Sequence, residues 1–139
     1  MARLILDTGV LVNGARGRLD LAAISDQDDV VLPAVVLAEY GVGVLLATDE
    51  ASRAAQRAFL ADMLAVTPVE NYTPDVAEHH AELLACTRRT GKPRGAHDLI
   101  IAATARATKR VLVTTDEQAR FDELPDVTVR LVTPDRAGR

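Results

Sequence analysis

A single cysteine, Cys86, leaves the 139-residue chain without an internal disulfide and without the paired thiolates of a cysteine-based zinc site. It also has no surplus of positive charge. Sixteen Lys and Arg face twenty Asp and Glu, for a formal net charge of −4. That balance excludes a protein that grips nucleic acid by bulk charge, though not one that reaches it through bound cations. Nor is there an unbroken apolar run long enough for a bilayer. Residues Val30 to Ala47 come nearest, but Pro33 breaks them. Glu39, near the middle, would cost about 2.5–3.5 kcal/mol on insertion scales. Asp26, Asp28 and Asp29 precede this run, and Asp49 and Glu50 follow it. At the N-terminus, Leu4-Ile5-Leu6 is stopped at once by Asp7, too soon for a signal peptide. Internal repeats, low-complexity tracts and interdomain linkers are also missing. The chain reads as a soluble, cytoplasmic protein, with one domain over residues 1–133 and a loose tail over residues 134–139.

What is present alternates between two periods. Short runs rich in Val, Leu, Ile and Thr predict strands at Arg3–Leu6, Val30–Leu32, Val66–Val69, Val111–Thr114 and Val127–Val132. Apolar spacing near 3.6 predicts helices at Leu19–Ser25, Ala34–Ala47, Glu50–Ala65, Pro74–Thr90 and Asp98–Ala107. Gly91 stands where a helix C-terminus wants glycine, with Arg88 and Arg89 in the turn before it. Strands alternating with helices predict a three-layer α/β domain around a mainly parallel five-stranded sheet. The Gly41-Val42-Gly43 pair lacks the strand-turn-helix setting of a dinucleotide fingerprint and is expected to serve close helix packing. Cys86 is expected in the core.

Four carboxylates stand at unusual places. Asp7 ends the first strand, Glu39 is the only charge in an otherwise apolar helical stretch, Asp98 opens a helix, and Asp116 follows a strand. Helix capping or first-turn placement accounts for Asp7, Asp98 and Asp116 taken one at a time. Thr115 with Gln118 fits a capping box. Glu39 resists this treatment, because a carboxylate on an apolar helix needs a partner, a proton or a metal. Ligand crevices of parallel α/β sheets lie outside the carboxyl ends of the strands, where all four acids can converge. Ionised carboxylates so close repel one another, and a hard divalent cation removes the conflict. Such a cluster can serve hydrolysis at phosphorus without any His or Cys.

With these residues in view, the sequence resembles the PIN-domain family and, within it, the VapC-type toxin ribonucleases. The resemblance is carried by Leu6-Asp7-Thr8, Ala38-Glu39-Tyr40, His97-Asp98-Leu99-Ile100-Ile101-Ala102-Ala103 and Val113-Thr114-Thr115-Asp116, in that order, and spans Arg3 to about Val132. It implies a metal-dependent endoribonuclease that leaves a 3′-hydroxyl and a 5′-phosphate. Its cofactor would be Mg²⁺, with Mn²⁺ as substitute. Its partners would be RNA, a VapB-type antitoxin encoded beside it, and a second copy of the chain in a homodimer or toxin–antitoxin hetero-oligomer. Carried over by position, Asp7, Glu39, Asp98 and Asp116 form the acidic quartet, with Asp7 and Asp98 as the foremost metal ligands. Thr8 and Thr115 are candidates for orienting water or phosphate. Phe121 reads as packing.

Arg88, Arg89, Lys92 and Arg94 form a basic cluster with two open accounts, RNA phosphate binding and helix-terminal charge compensation. His97 reads as structural, with an RNA contact as the alternative. Rival functions fit less well. A haloacid-dehalogenase-like phosphatase wants a second Asp two residues after Asp7, where Gly9 stands. A receiver module wants an acid pair after its first strand, where Leu6-Asp7 stands. A catalytically silent PIN-fold scaffold that binds RNA or protein is the remaining alternative.

Overall fold

The computed structural model describes residues 1–25 and 27–136; Asp26 and the last three residues of the expected tail lie outside them. Five strands, β1 (Arg3–Leu6), β2 (Asp29–Pro33), β3 (Val69–Glu70), β4 (Val111–Thr114) and β5 (Val129–Leu131), form one parallel sheet in the order β3-β2-β1-β4-β5. Among the described residues, six α-helices accompany it: α1 (Thr8–Ala15), α2 (Leu21–Ser25), α3 (Ala34–Leu45), α4 (Glu50–Val66), α5 (Pro74–Thr90) and α6 (Ala96–Ala107). Leu4, Ile5, Leu6, Leu32, Leu112 and Val113 are sealed from solvent. Strands buried on both faces need runs of branched apolar residues rather than alternation, which is how these strands read.

The topology decides where a ligand can sit. From β1 the chain builds outward through β2 and β3, then returns to lay β4 against the other side of β1. The switch point of the sheet therefore lies between β1 and β4. There the Asp7 N–H donates to the Val113 carbonyl at 2.9 Å. Residues just beyond the carboxyl ends of these two strands face a crevice that no crossover covers.

Several expectations need correction. Helix α1 has no counterpart in the sequence reading. Its eight residues, TGVLVNGA, combine two glycines, an asparagine and two valines, all weak helix formers. Tertiary burial holds it instead: Val10 and Leu11 are wholly buried, Asp7 caps its start, and Asn13 Nδ2 donates to the Gly9 carbonyl at 2.7 Å. The strand expected at Val66–Val69 shrinks to Val69–Glu70, because α4 continues through Val66 until the Thr67-Pro68 step. Gly41 and Gly43 do not serve close packing: a Cβ built on either meets nothing within 4 Å. Cys86 is half-buried rather than core. At residue 135 the Asp135 N–H donates to the Arg18 carbonyl at 2.9 Å. Gly91 ends α5 as expected, at φ 67°, in the left-handed region that disfavours any side chain. Among the described residues, no helix is long and apolar enough to cross a membrane.

Candidate active site

Four elements deliver one carboxylate each to the crevice. Asp7 leaves β1, Glu39 projects from α3, Asp98 lies in the first turn of α6, and Asp116 follows β4. Together with Thr8, Gly9 and Thr115 they line an open cavity of about 430 Å³. Among the described residues, the lining contains no Lys or Arg.

Asp7 is the most enclosed of the four, with 6% of its surface exposed. Its Oδ1 accepts from the Thr8 N–H at 2.8 Å, and its Oδ2 accepts from the Thr114 hydroxyl at 2.6 Å. Burial pushes its pKa up from the ordinary carboxylate value. Those two hydrogen bonds oppose the rise, and the charges of Glu39 and Asp116 add to it. Thr114 deserves equal notice, because sequence reasoning passed over it in favour of its neighbour Thr115. It is 1% exposed, donates a hydrogen bond to Asp7, and accepts the Asp116 N–H at 3.0 Å. One hydroxyl thus fixes the side chain of one acid and the backbone of another. The tandem Thr114-Thr115 was the available signal, but a strand buried on both faces gives no alternation to say which hydroxyl points inward.

Glu39 has found the partners its position demanded. Its Oε1 accepts from the Thr8 hydroxyl at 2.7 Å, and its Oε2 stands 3.3 Å from His97 Nδ1. His97, read from the sequence as structural, is instead more than half exposed and belongs to the rim of the acid site. Asp98 is the third residue of α6 rather than its opener; Gly95 occupies the cap. Its pKa is raised to about 6, mainly by burial, then by the charges of Asp7, Asp116 and Glu39, with His97 opposing. Asp116 Oδ1 accepts the Ala119 N–H at 3.0 Å within a turn, so no helix begins there and the capping box expected of Thr115 and Gln118 does not form.

Thr115 packs over α1 instead. A methyl on Gly9 would collide with the Thr115 hydroxyl oxygen, so this position admits only glycine while that rotamer stands. Gly9→Ala should therefore destabilise the fold by about 1–3 kcal/mol, the usual cost of an added methyl in a filled space. Chemical denaturation checks this, and an unchanged midpoint would contradict it.

The structure does not bring Arg94 to the acid cavity. Its guanidinium pairs with Glu123 at 2.9 Å and reaches the Lys92 carbonyl at 3.0 Å, beside Cys86 and Thr90. Arg88 and Arg89 lie exposed in the last turn of α5, where they complement the helix dipole. Phe121 packs in the core, 2% exposed.

Among the described residues, no three His, Cys, Asp or Glu side chains close up into a ready-made cation cage. The donor set nevertheless suits one class of cation. Four carboxylates around an open cavity, each with an oxygen already committed or only partly enclosed, leave room for water between ion and protein. Mg²⁺ asks for this arrangement, taking one or two carboxylates directly and keeping several of its waters. A softer metal would look for thiolates or clustered imidazoles, which the cavity lacks.

Comparison with known proteins adds independent findings. A family model described as the PIN domain matches residues 4–127. A protein of Rickettsia bellii named Ribonuclease VapC is 28% identical over 130 residues, covering 92% of this chain and 97% of that one. Among solved structures, VapBC-5 of Mycobacterium tuberculosis, a member of the VapBC family of toxin–antitoxin systems, is similar with a TM-score of 0.79. It is 32% identical, and the match covers 95% of this chain and 100% of that one. VapBC2 of Rickettsia felis, solved bound to a DNA fragment from its promoter, gives a TM-score of 0.82 at 21% identity. That match covers 93% of this chain and 98% of that one, a likeness of fold.

Proposed function

The chain belongs to the PIN-domain family, in its VapC-type branch, and on that premise we propose a metal-dependent endoribonuclease that acts in the cytoplasm as the toxin of a toxin–antitoxin pair. The observation that carries the proposal is the convergence of Asp7, Glu39, Asp98 and Asp116, from four separate elements, on one cavity at the switch point of the sheet. Like charges so placed raise the cost of ionising Asp7 and Asp98, and a protein without a use for them gains by replacing them.

Asp7 and Asp98 would hold the cation, with Glu39 and Asp116 contributing directly or through water. Bound there, Mg²⁺ or Mn²⁺ would offset charge on the scissile phosphate and make a water molecule more acidic. The chain's own residues hold that site in shape. Thr114 fixes Asp7, Thr8 ties Glu39 to the start of α1, and the Ala119 N–H orients Asp116. The carboxylates then position water against the phosphorus for in-line displacement, and only an RNA strand that can enter an open, acid-lined crevice is cut.

A VapB-type antitoxin is the proposed protein partner, as the name VapBC describes for the relatives. Val42, Leu45 and Leu46 near the end of α3, and Leu64 and Val66 at the end of α4, are exposed apolar side chains suited to a second copy or to that antitoxin.

A structured RNA pool incubated with the protein and Mg²⁺ should yield discrete fragments. They should vanish in EDTA and with Asp7→Asn, a variant that keeps the shape of the buried side chain. Intact RNA under every condition, with a cation still raising the melting temperature, would leave a binding scaffold in place of an enzyme.

A further inference from the structure

The loop that enters α6 and the segment that follows Asp116 meet at one side chain, that of Arg94. Its side chain is only 12% exposed, and its guanidinium reaches both stretches of the chain. Nη1 donates to the Lys92 carbonyl at 3.0 Å, within the loop before α6. Nη2 donates to Glu123 Oε1 at 2.9 Å and to the Arg120 carbonyl at 3.5 Å, both beyond Asp116. Glu123 Oε2 in turn accepts from Arg120 Nε at 3.3 Å, which fixes the carboxylate from its other side. A rigid planar fork can serve several acceptors at set angles, as a lysine ammonium could not. Exposed ion pairs hold little, but this one is largely enclosed and is joined to two carbonyls.

Each of the joined segments delivers one acid of the cavity. Gly95 caps α6, with Asp98 in the turn that follows. A Cβ built on Gly95 would stand 3.1 Å from Asp98 Oδ2, so the loop already touches that carboxylate. On the other side, Asp116 Oδ1 accepts the Ala119 N–H, and the Arg120 N–H donates to the Glu117 carbonyl at 3.4 Å. The chain then passes Arg120, at φ 53°, into a 3₁₀ turn over Phe121–Glu123, anchored by buried Phe121. Asp98 and Asp116 repel each other when ionised, so something must hold their separation. We infer that Arg94 is a positioning residue for the cation site: it braces the loop before α6 against the segment after Asp116 and so sets the spacing of Asp98 and Asp116. The inference rests on the metal-dependent ribonuclease reading above and deepens it.

Three variants test it: Arg94→Met, which keeps the stem and drops the fork, Glu123→Met, and the two together. Each is titrated with Mn²⁺ at pH 7.5, well below its melting temperature, and its kcat and KM on the RNA pool with Mg²⁺ are measured. Arg94→Met should bind Mn²⁺ about 10-fold more weakly and lose about 10-fold in kcat, the usual cost of a lost outer support, with KM for RNA unchanged. Glu123→Met should weaken Mn²⁺ binding in the same direction, and the double variant should match Arg94→Met, because the two residues act through one contact. The brace is overturned if Arg94→Met lowers only the melting temperature, with Mn²⁺ affinity and kcat at the wild-type level. It is also overturned if the two losses add in full. A third contrary result is a raised KM in Arg94→Met with a lowered KM in Glu123→Met, at unchanged Mn²⁺ affinity, the mark of a phosphate contact. A wild type that binds Mn²⁺ but cuts no RNA brings down the ribonuclease reading and leaves the brace to be judged on affinity. A wild type that binds no Mn²⁺ brings down both.

Discussion

Asp98→Asn should abolish RNA cleavage and, in EDTA at neutral pH, raise the melting temperature of the protein. The two effects share one cause. The Asp98 carboxyl is pushed up to about 6 by burial and by the neighbouring acids, against an ordinary value of 3.8. Between these values the folded state holds the proton more tightly than the unfolded state. Stability from this group is therefore full below about pH 4 and is lost as the pH rises through 6. At pH 7 the ionised side chain costs the fold about 1–2 kcal/mol, after allowing for solvent screening of a half-buried group. Asparagine removes that cost, a gain of about 3–8 °C in Tm. The gain should shrink towards pH 4.5, where Asp98 is already protonated. Mg²⁺ bound at the site should reverse the preference, because it would bind the ionised form. Loss of a cation ligand should lower kcat/KM by about 10²–10⁴-fold, from several kcal/mol of transition-state stabilisation. A destabilised Asp98→Asn, or one that still cuts RNA at the wild-type rate, would contradict the assignment.

Thr114→Val should have the second largest effect, although it changes no charge and barely any volume. Valine suits β4 as well as threonine does. It cannot donate to Asp7 Oδ2 or accept the Asp116 N–H, however, and the first of these bonds is buried away from water. A charge-assisted bond and a neutral one together are worth about 2–4 kcal/mol, so denaturation should shift by that amount. Cleavage should fall by about 10- to 100-fold, the usual cost of removing a group that orients a metal-site carboxylate. Thr114→Ser restores the hydroxyl without the methyl and should recover most of the activity while recovering less of the stability. Equal losses in Val and Ser would reduce Thr114 to a packing residue.

The acidic residues could be read from the sequence because their positions conflict with ordinary placement. Glu39 in an apolar helix has no cheap explanation, and Asp7 and Asp116 follow two strands that the topology makes neighbours. The sheet was legible for a related reason: its strands are short branched runs that could not be helices of useful length. Features held by tertiary contacts were hidden. Helix α1 has too much glycine to announce itself, yet it supplies Thr8 and the packing surface for Thr115. The inward turn of Thr114 and the approach of His97 to Glu39 depend on rotamers that no spacing encodes. Arg94 shows the converse. Its position before Asp98 suggested a contact with RNA, and the fold directs its charge to Glu123 instead.

The central claim is that the four carboxylates converge because a divalent cation joins them. Titration of Mn²⁺ into wild type and Asp98→Asn at pH 7.5, followed by heat of binding, tests it most directly. The account predicts saturable binding to the wild type, accompanied by a rise in Tm, and at least tenfold weaker binding to the variant. No binding at millimolar Mn²⁺, or equal binding to both proteins, would contradict it.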